Sequence, residues 1–100
     1  MNSEKVIALL NIARKGRLIE VGRTPVNILL KRKRAALVLI AADTTEKLRE
    51  ELERNCRRQN VPVYIWSTKS ALGAICGRDQ VATVAISDKN LAAGIKAAFL

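Results

Sequence analysis

Arg23, Lys31, Arg34 and Lys69 add positive charge near stretches opened by helix-capping residues, Thr24, Asp43 and Ser67. Spacing of this kind suits one chemistry, the binding of anions. A helix start exposes backbone N–H groups that the helix itself leaves unpaired, and such groups suit a phosphate oxygen. Guanidinium and ammonium groups nearby add the charge that holds a polyanion. Capping alone accounts for Thr24, Asp43 and Ser67. It does not account for Arg23 or for the run Lys31-Arg32-Lys33-Arg34.

Catalytic chemistry is poorly provided for. The chain has no histidine, so the commonest general base is missing. Glu46, Glu50 and Glu53 alternate with Arg49, Arg54 and Arg57 on one helical stretch, where i,i+3 and i,i+4 pairing makes a solvated face. Cys56 falls on the apolar stripe Leu48, Leu52, Cys56, and Cys76 sits beside Gly77 at a helix end. Neither cysteine has a near partner in sequence, so no metal site or disulfide framework is expected, and reduced thiols in the cytoplasm are the default. Gly73 and Gly77 lie within and after a helix rather than between a strand and a helix, so they do not form a phosphate loop. No enzyme activity, cofactor, metal or small-molecule substrate is expected.

Charge points to a partner. The net charge is +9 and the pI about 10.3, the electrostatic mark of a nucleic-acid binder. The surplus is lopsided: residues 1–34 hold nine Lys/Arg against two Glu. A field this concentrated attracts phosphates, or an acidic protein surface in their place. The stretch Val6–Ile12, broken by Asn11, is too short to span a membrane and lacks a signal-peptide cleavage pattern, so no membrane association is expected.

The elements that must position these groups alternate along the chain. Ser3 caps a first helix with the stripe Val6, Ile7, Leu9, Leu10, Ala13, stopped at Gly16. Leu18–Val21 is a short strand, Gly22 a turn, and Thr24 caps a second helix, Val26–Lys33, with Pro25 at its first position. Ala35–Ala41 is a continuous apolar run, expected as a strand covered on both faces. Asp43 with Glu46 resembles a capping box for a helix to about Gln59. Val61–Trp66 is a third strand, and Ser67 or Thr68 caps a helix ending at Gly77. Val81–Ile86 is a fourth strand, and Asp88 opens a last helix to about Phe99. One domain over residues 1–100 is expected, of the α/β class: a three-layer α/β/α sandwich with four strands and about five helices. If its strands are parallel, the strand-to-helix turns at Gly22–Asn27, Asp43–Thr45 and Ser67–Lys69 share one edge of the sheet.

Several stretches resemble a known family. Ala35–Asp43, a helix ending Cys56…Asn60-Val61-Pro62, then Ser67-Thr68-Lys69…Leu72-Gly73…Gly77 and Val84-Ala85-Ile86-Ser87-Asp88 are similar to the kink-turn RNA-binding ribosomal proteins. These are the large-subunit proteins numbered seven-Ae and thirty-e, with small bacterial relatives. The resemblance covers nearly the whole chain and implies an α/β/α sandwich that binds structured RNA, ribosomal RNA first. It places an RNA-binding motif, Gly-x-Asn-Glu-x-x-Lys, on Gly22-Arg23-Thr24-Pro25-Val26-Asn27-Ile28, where only Gly22 is retained and Thr24, Pro25 and Ile28 replace the Asn, Glu and Lys. It also places the family's apolar RNA-contacting loop on Arg78-Asp79-Gln80-Val81, which is shorter and more polar here. Charge near the turns and the resemblance together give the candidate binding residues Gly22, Arg23, Thr24, Asn27, Lys31, Arg34, Asp43, Lys69, Arg78, Gln80 and Val81. The scaffold resembles the family while the tools for reading tandem G·A pairs are largely replaced, as in a bacterial ribosome-associated relative. The rival reading is a protein–protein module on the same scaffold, with kink-turn recognition lost.

Overall fold

Apolar alternation along the strands decides the layers. The protein is described by a computed structural model covering Met1–Leu100. Its elements run α1 (Ser3–Lys15), β1 (Ile19–Val21), α2 (Arg23–Lys31), β2 (Leu37–Ile40), α3 (Glu46–Gln59), β3 (Val63–Ile65), α4 (Lys69–Cys76), β4 (Thr83–Ile86) and α5 (Lys89–Ala98). On β2, Leu37 and Leu39 face one side and Val38 and Ile40 the other, because successive strand side chains point oppositely. The first pair packs with Val6, Leu10, Leu72 and Ile95, hence against α1, α4 and α5. The second pair packs with Val26, Leu30, Leu52 and Cys56, hence against α2 and α3. The result is the three-layer sandwich, three helices on one face of the sheet and two on the other. Full burial of each large aliphatic chain contributes roughly 1.5–3 kcal/mol. The one buried polar side chain, Thr83, donates from Oγ1 to the Leu39 carbonyl at 2.8 Å, so its hydroxyl is satisfied between strands.

The sheet order is β1-β4-β2-β3. It is mixed and not wholly parallel. β2 and β3 are parallel, while β4 is antiparallel to both β1 and β2. It follows that β1, β2 and β3 point the same way and β4 alone runs back. The ends of β1, β2 and β3 and the start of β4 therefore lie at one edge, called here the front edge. The connections into β1, β2 and β3, and the turn from β4 to α5, lie at the opposite, rear edge, while the α4–β4 segment returns to the front.

Helix caps fall one or two residues from where the sequence places them, each for a local reason. Asn2, not Ser3, caps α1, accepting from the Lys5 N–H at 3.1 Å. α2 starts at Arg23 with Gly22 as its N-cap, so Thr24 is the helix's second residue and Pro25 its third. Gly22 takes φ +99° and ψ 164°, a region open in practice to glycine, so the chain turns there without a side-chain cap. Thr45 caps α3 in place of Asp43, while of the two residues expected to cap α4 it is Thr68 that does so. α2 ends at Lys31, two residues early, because Lys33 turns left-handed at φ 60°. Gly16 stays right-handed, and Arg17 makes the left-handed turn after α1. β3 is shorter than its apolar run: the Val61 N–H is still held by the Cys56 carbonyl and Pro62 has none to give. β4 starts late because the Val81 N–H goes to the Lys69 carbonyl. Asp88 and Gly77 cap α5 and α4 as expected.

Candidate nucleic-acid interface

Backbone hydrogen bonds lace the front-edge connections into one surface. The Gly22 N–H donates to the Thr83 carbonyl at 2.9 Å, tying the β1–α2 turn to β4. The Ala42 N–H donates to Ser67 O at 2.9 Å, and the Asp43 carboxylate accepts from the Lys69 N–H at 2.8 Å. Asp43 thus crosses to the start of α4 instead of capping its own helix. That placement uses a carboxylate where the α4 dipole is positive. Val81 closes the ring through its N–H to Lys69 O at 3.0 Å. Gly22, Asp43, Lys69 and the Gln80-Val81 backbone are brought together in this way. The Val81 side chain is only 3% exposed and belongs to the core, so it offers RNA no apolar contact. Arg78 and Gln80 are exposed on the return segment from α4.

Two of the sequence-derived cation sites are differently placed. Lys31 ends α2, and Arg34 leads into β2, so both stand at the rear edge. The Ala36 N–H, bonded to the Ile86 carbonyl beside the end of β4, fixes that side. Arg23 is at the front edge but is already paired. Its Nε donates to Glu51 Oε2 at 2.9 Å and its Nη2 to Oε1 at 2.6 Å, a bidentate fork. The hydrogen bond from Arg23 holds Glu51 below its ordinary range, helped by Asn27, and Glu51 in turn raises Arg23.

Asn27 belongs to the same network. Its Nδ2 donates to Glu51 Oε2 at 3.1 Å, and its Oδ1 accepts from Asn55 Nδ2 at 3.0 Å. Arg23 and Asn27 are one turn apart on α2, and Glu51 and Asn55 one turn apart on α3, so two i,i+4 pairs face each other. Sequence reading missed Glu51 and Asn55; their matched spacing was the available signal. On another face of α2, Thr24 and Ile28 share an exposed strip, with Ile28 45% exposed.

No group of three or more His, Cys, Asp or Glu is placed to hold a metal. Burial pushes the Cys56 thiol up to about 11, with the Glu53 charge adding to it. Burial also raises Cys76, against the lowering pull of Arg14 and Arg78. Both are therefore protonated, weak nucleophiles at neutral pH. No helix is long and apolar enough to cross a membrane.

Residues 4–95 match the model of the ribosomal protein L7Ae/L30e/S12e/Gadd45 family. The chain belongs to this family. Among its relatives, the large ribosomal subunit protein eL30 of Methanopyrus kandleri is 37% identical over 62 residues, spanning 60% of this chain and 57% of that one. The chain therefore aligns with little more than half of that relative's length. A Bacillus halodurans protein of unknown function shares the fold at TM-score 0.90 and 20% identity, over 94% of this chain and 95% of that one. The Giardia lamblia 15.5kD RNA binding protein matches at TM-score 0.82 and 25% identity, over 93% of this chain and 82% of that one. Within this L7Ae/L30e-type scaffold, the start of α2 keeps the glycine turn but presents Thr24 and Ile28 where the resemblance places an amide and an ammonium.

Proposed function

We propose that this chain is a ribosome-associated RNA-binding protein without enzymatic activity, acting in the cytoplasm as one domain and holding structured RNA through its phosphates. Membership of the L7Ae/L30e family and the likeness to an RNA binding protein support the class. The observation that carries the reading is unspent charge. Of 18 Lys and Arg, only Arg23 and Arg49 form ion pairs with carboxylates. With nine carboxylates in the whole chain, a net charge of +9 faces solvent, which steers and holds a polyanion. The front edge supplies the docking surface: the Gly22 turn, the exposed strip of Thr24 and Ile28, Lys69, and the segment Arg78–Gln80. Specificity for a kink is weaker than affinity, because base-edge tools at the start of α2 are replaced while backbone charge remains.

Fluorescence anisotropy with a ribosomal RNA fragment, repeated across a salt series, tests this. Binding whose log affinity falls linearly with log salt is expected. Absence of RNA binding at low salt, with stable retention of an acidic protein in its place, would overturn it.

A further inference from the structure

The rear edge carries more free positive charge than the front. Lys33, Arg34 and Lys89 line a concavity of about 540 Å³ together with Ser87, between the α2–β2 turn and the start of α5. Lys31 and Arg58 line an adjoining one of about 330 Å³ between the ends of α2 and α3. None of these five cations pairs with a carboxylate. Of the nearby acids, Asp88 is turned to cap α5 through the Leu91 N–H at 2.8 Å, and Glu51, behind Asn27, is held by Arg23.

Helix energetics explain part of this charge and not the rest. Lys31 and Arg58 sit in last turns, where cations complement the helix dipole. Lys89 is the first residue of α5, at the positive end of the dipole, where a cation is disfavoured. Lys33 holds φ 60°, a left-handed conformation that suits glycine or asparagine. Arg34 lies beyond the helix altogether. Three cations thus converge on one concavity, two of them at positions where folding alone favours other residues.

We propose that the rear edge is a second phosphate-binding surface, so that one molecule holds two RNA segments, one on each edge of its sheet. This rests on the reading that the chain binds RNA. The two edges are separated by the length of the strands, and the whole molecule measures only 28 × 26 × 25 Å, so the held backbones lie about one protein diameter apart. Phosphate contacts carry no sequence information, so the second segment is recognised by its charge and not its bases.

A bridging assay decides this. A donor-labelled kink-turn hairpin and an acceptor-labelled unkinked duplex are mixed with protein at less than stoichiometric amounts, and energy transfer is read alongside hairpin affinity. The variant Lys33→Gln/Arg34→Gln/Lys89→Gln should lower transfer by roughly tenfold or more, as three phosphate contacts are lost, while hairpin affinity changes less than about twofold. If that variant melts early, Lys33→Gly, which the backbone favours, replaces it. Transfer unchanged in the variant, or absent in the wild type despite hairpin binding, overturns the proposal. A fall in hairpin affinity that matches the fall in transfer also overturns it, because the rear edge is then the single RNA site. If the wild type binds neither RNA but binds polyglutamate through these cations, both this proposal and the RNA reading fail, in favour of an acidic protein partner.

Discussion

Arg23 combines a front-edge position with a charge already matched by Glu51. Its contribution to RNA affinity is therefore small. Arg23→Ala should shift the slope of log affinity against log salt by much less than the roughly 0.7–0.9 of a true phosphate contact. A salt series on the single variant measures this, and a full unit of change would place Arg23 on the RNA. The same pair sets a pH dependence. Glu51 is held below its ordinary value of 4.5, mainly by the hydrogen bond from Arg23. A carboxylate with a lowered folded-state value stabilises the fold above the ordinary value and loses that contribution as pH falls through the lowered one. Melting temperature followed below pH 4.5 should thus fall more steeply in the wild type than in Arg23→Ala. Sequence reading found Arg23 as a candidate but not its partner, since Glu51 lies 28 positions away on another helix.

Turns and close approaches decide which elements tolerate change. A Cβ on Gly73 would lie 2.6 Å from the Asp79 carbonyl oxygen and 2.7 Å from that of Arg78. The segment returning from α4 to β4 lies directly on the helix there, and backbone cannot give way cheaply. Gly73→Ala should cost about 1–3 kcal/mol by overpacking, read from urea unfolding. Lys33→Gly should act in the opposite direction, stabilising by about 0.5–1 kcal/mol as left-handed strain is relieved. A lower urea midpoint for that variant would show that the Lys33 side chain supports the turn. Element types were legible because apolar runs such as Leu37–Ile40, buried on both faces, leave little choice. Caps were less legible, since several residues of capping type compete at each start. Asp43 was drawn away by the Lys69 N–H, a partner that only the sheet brings near.

At the scale of the whole molecule, the direction of β4 was the part the sequence hid. Local pattern reports that a strand exists and which faces it covers; it does not report which neighbours it pairs with. Lys31 and Arg34 are a separate case: the length of α2 alone carries them from the Gly22 turn to the rear edge. The same placement bears on specificity. With Thr24, Pro25 and Ile28 at the start of α2 and the cations mostly behind, a kink-turn should bind only modestly better than an unkinked duplex of equal length. A preference of about a thousandfold in paired gel-shift titrations would contradict this, since that size belongs to site-specific recognition. The position of β4 also dictates when the protein can finish folding. β4 is made after the other three strands, yet it sits between β1 and β2 and is the only partner of β1. A nascent chain interrupted before residue 83 can zip β2 to β3, but β1 has no strand to join and the inner side of β2 stays open. Closing Ile19 against Ile86 spans most of the chain, a distant pairing of the kind that slows folding and leaves an edge free to meet another chain meanwhile. Synthesis must pass β4 before the sheet is sealed, and it is sealed by insertion, with the fourth strand entering a slot between the first two.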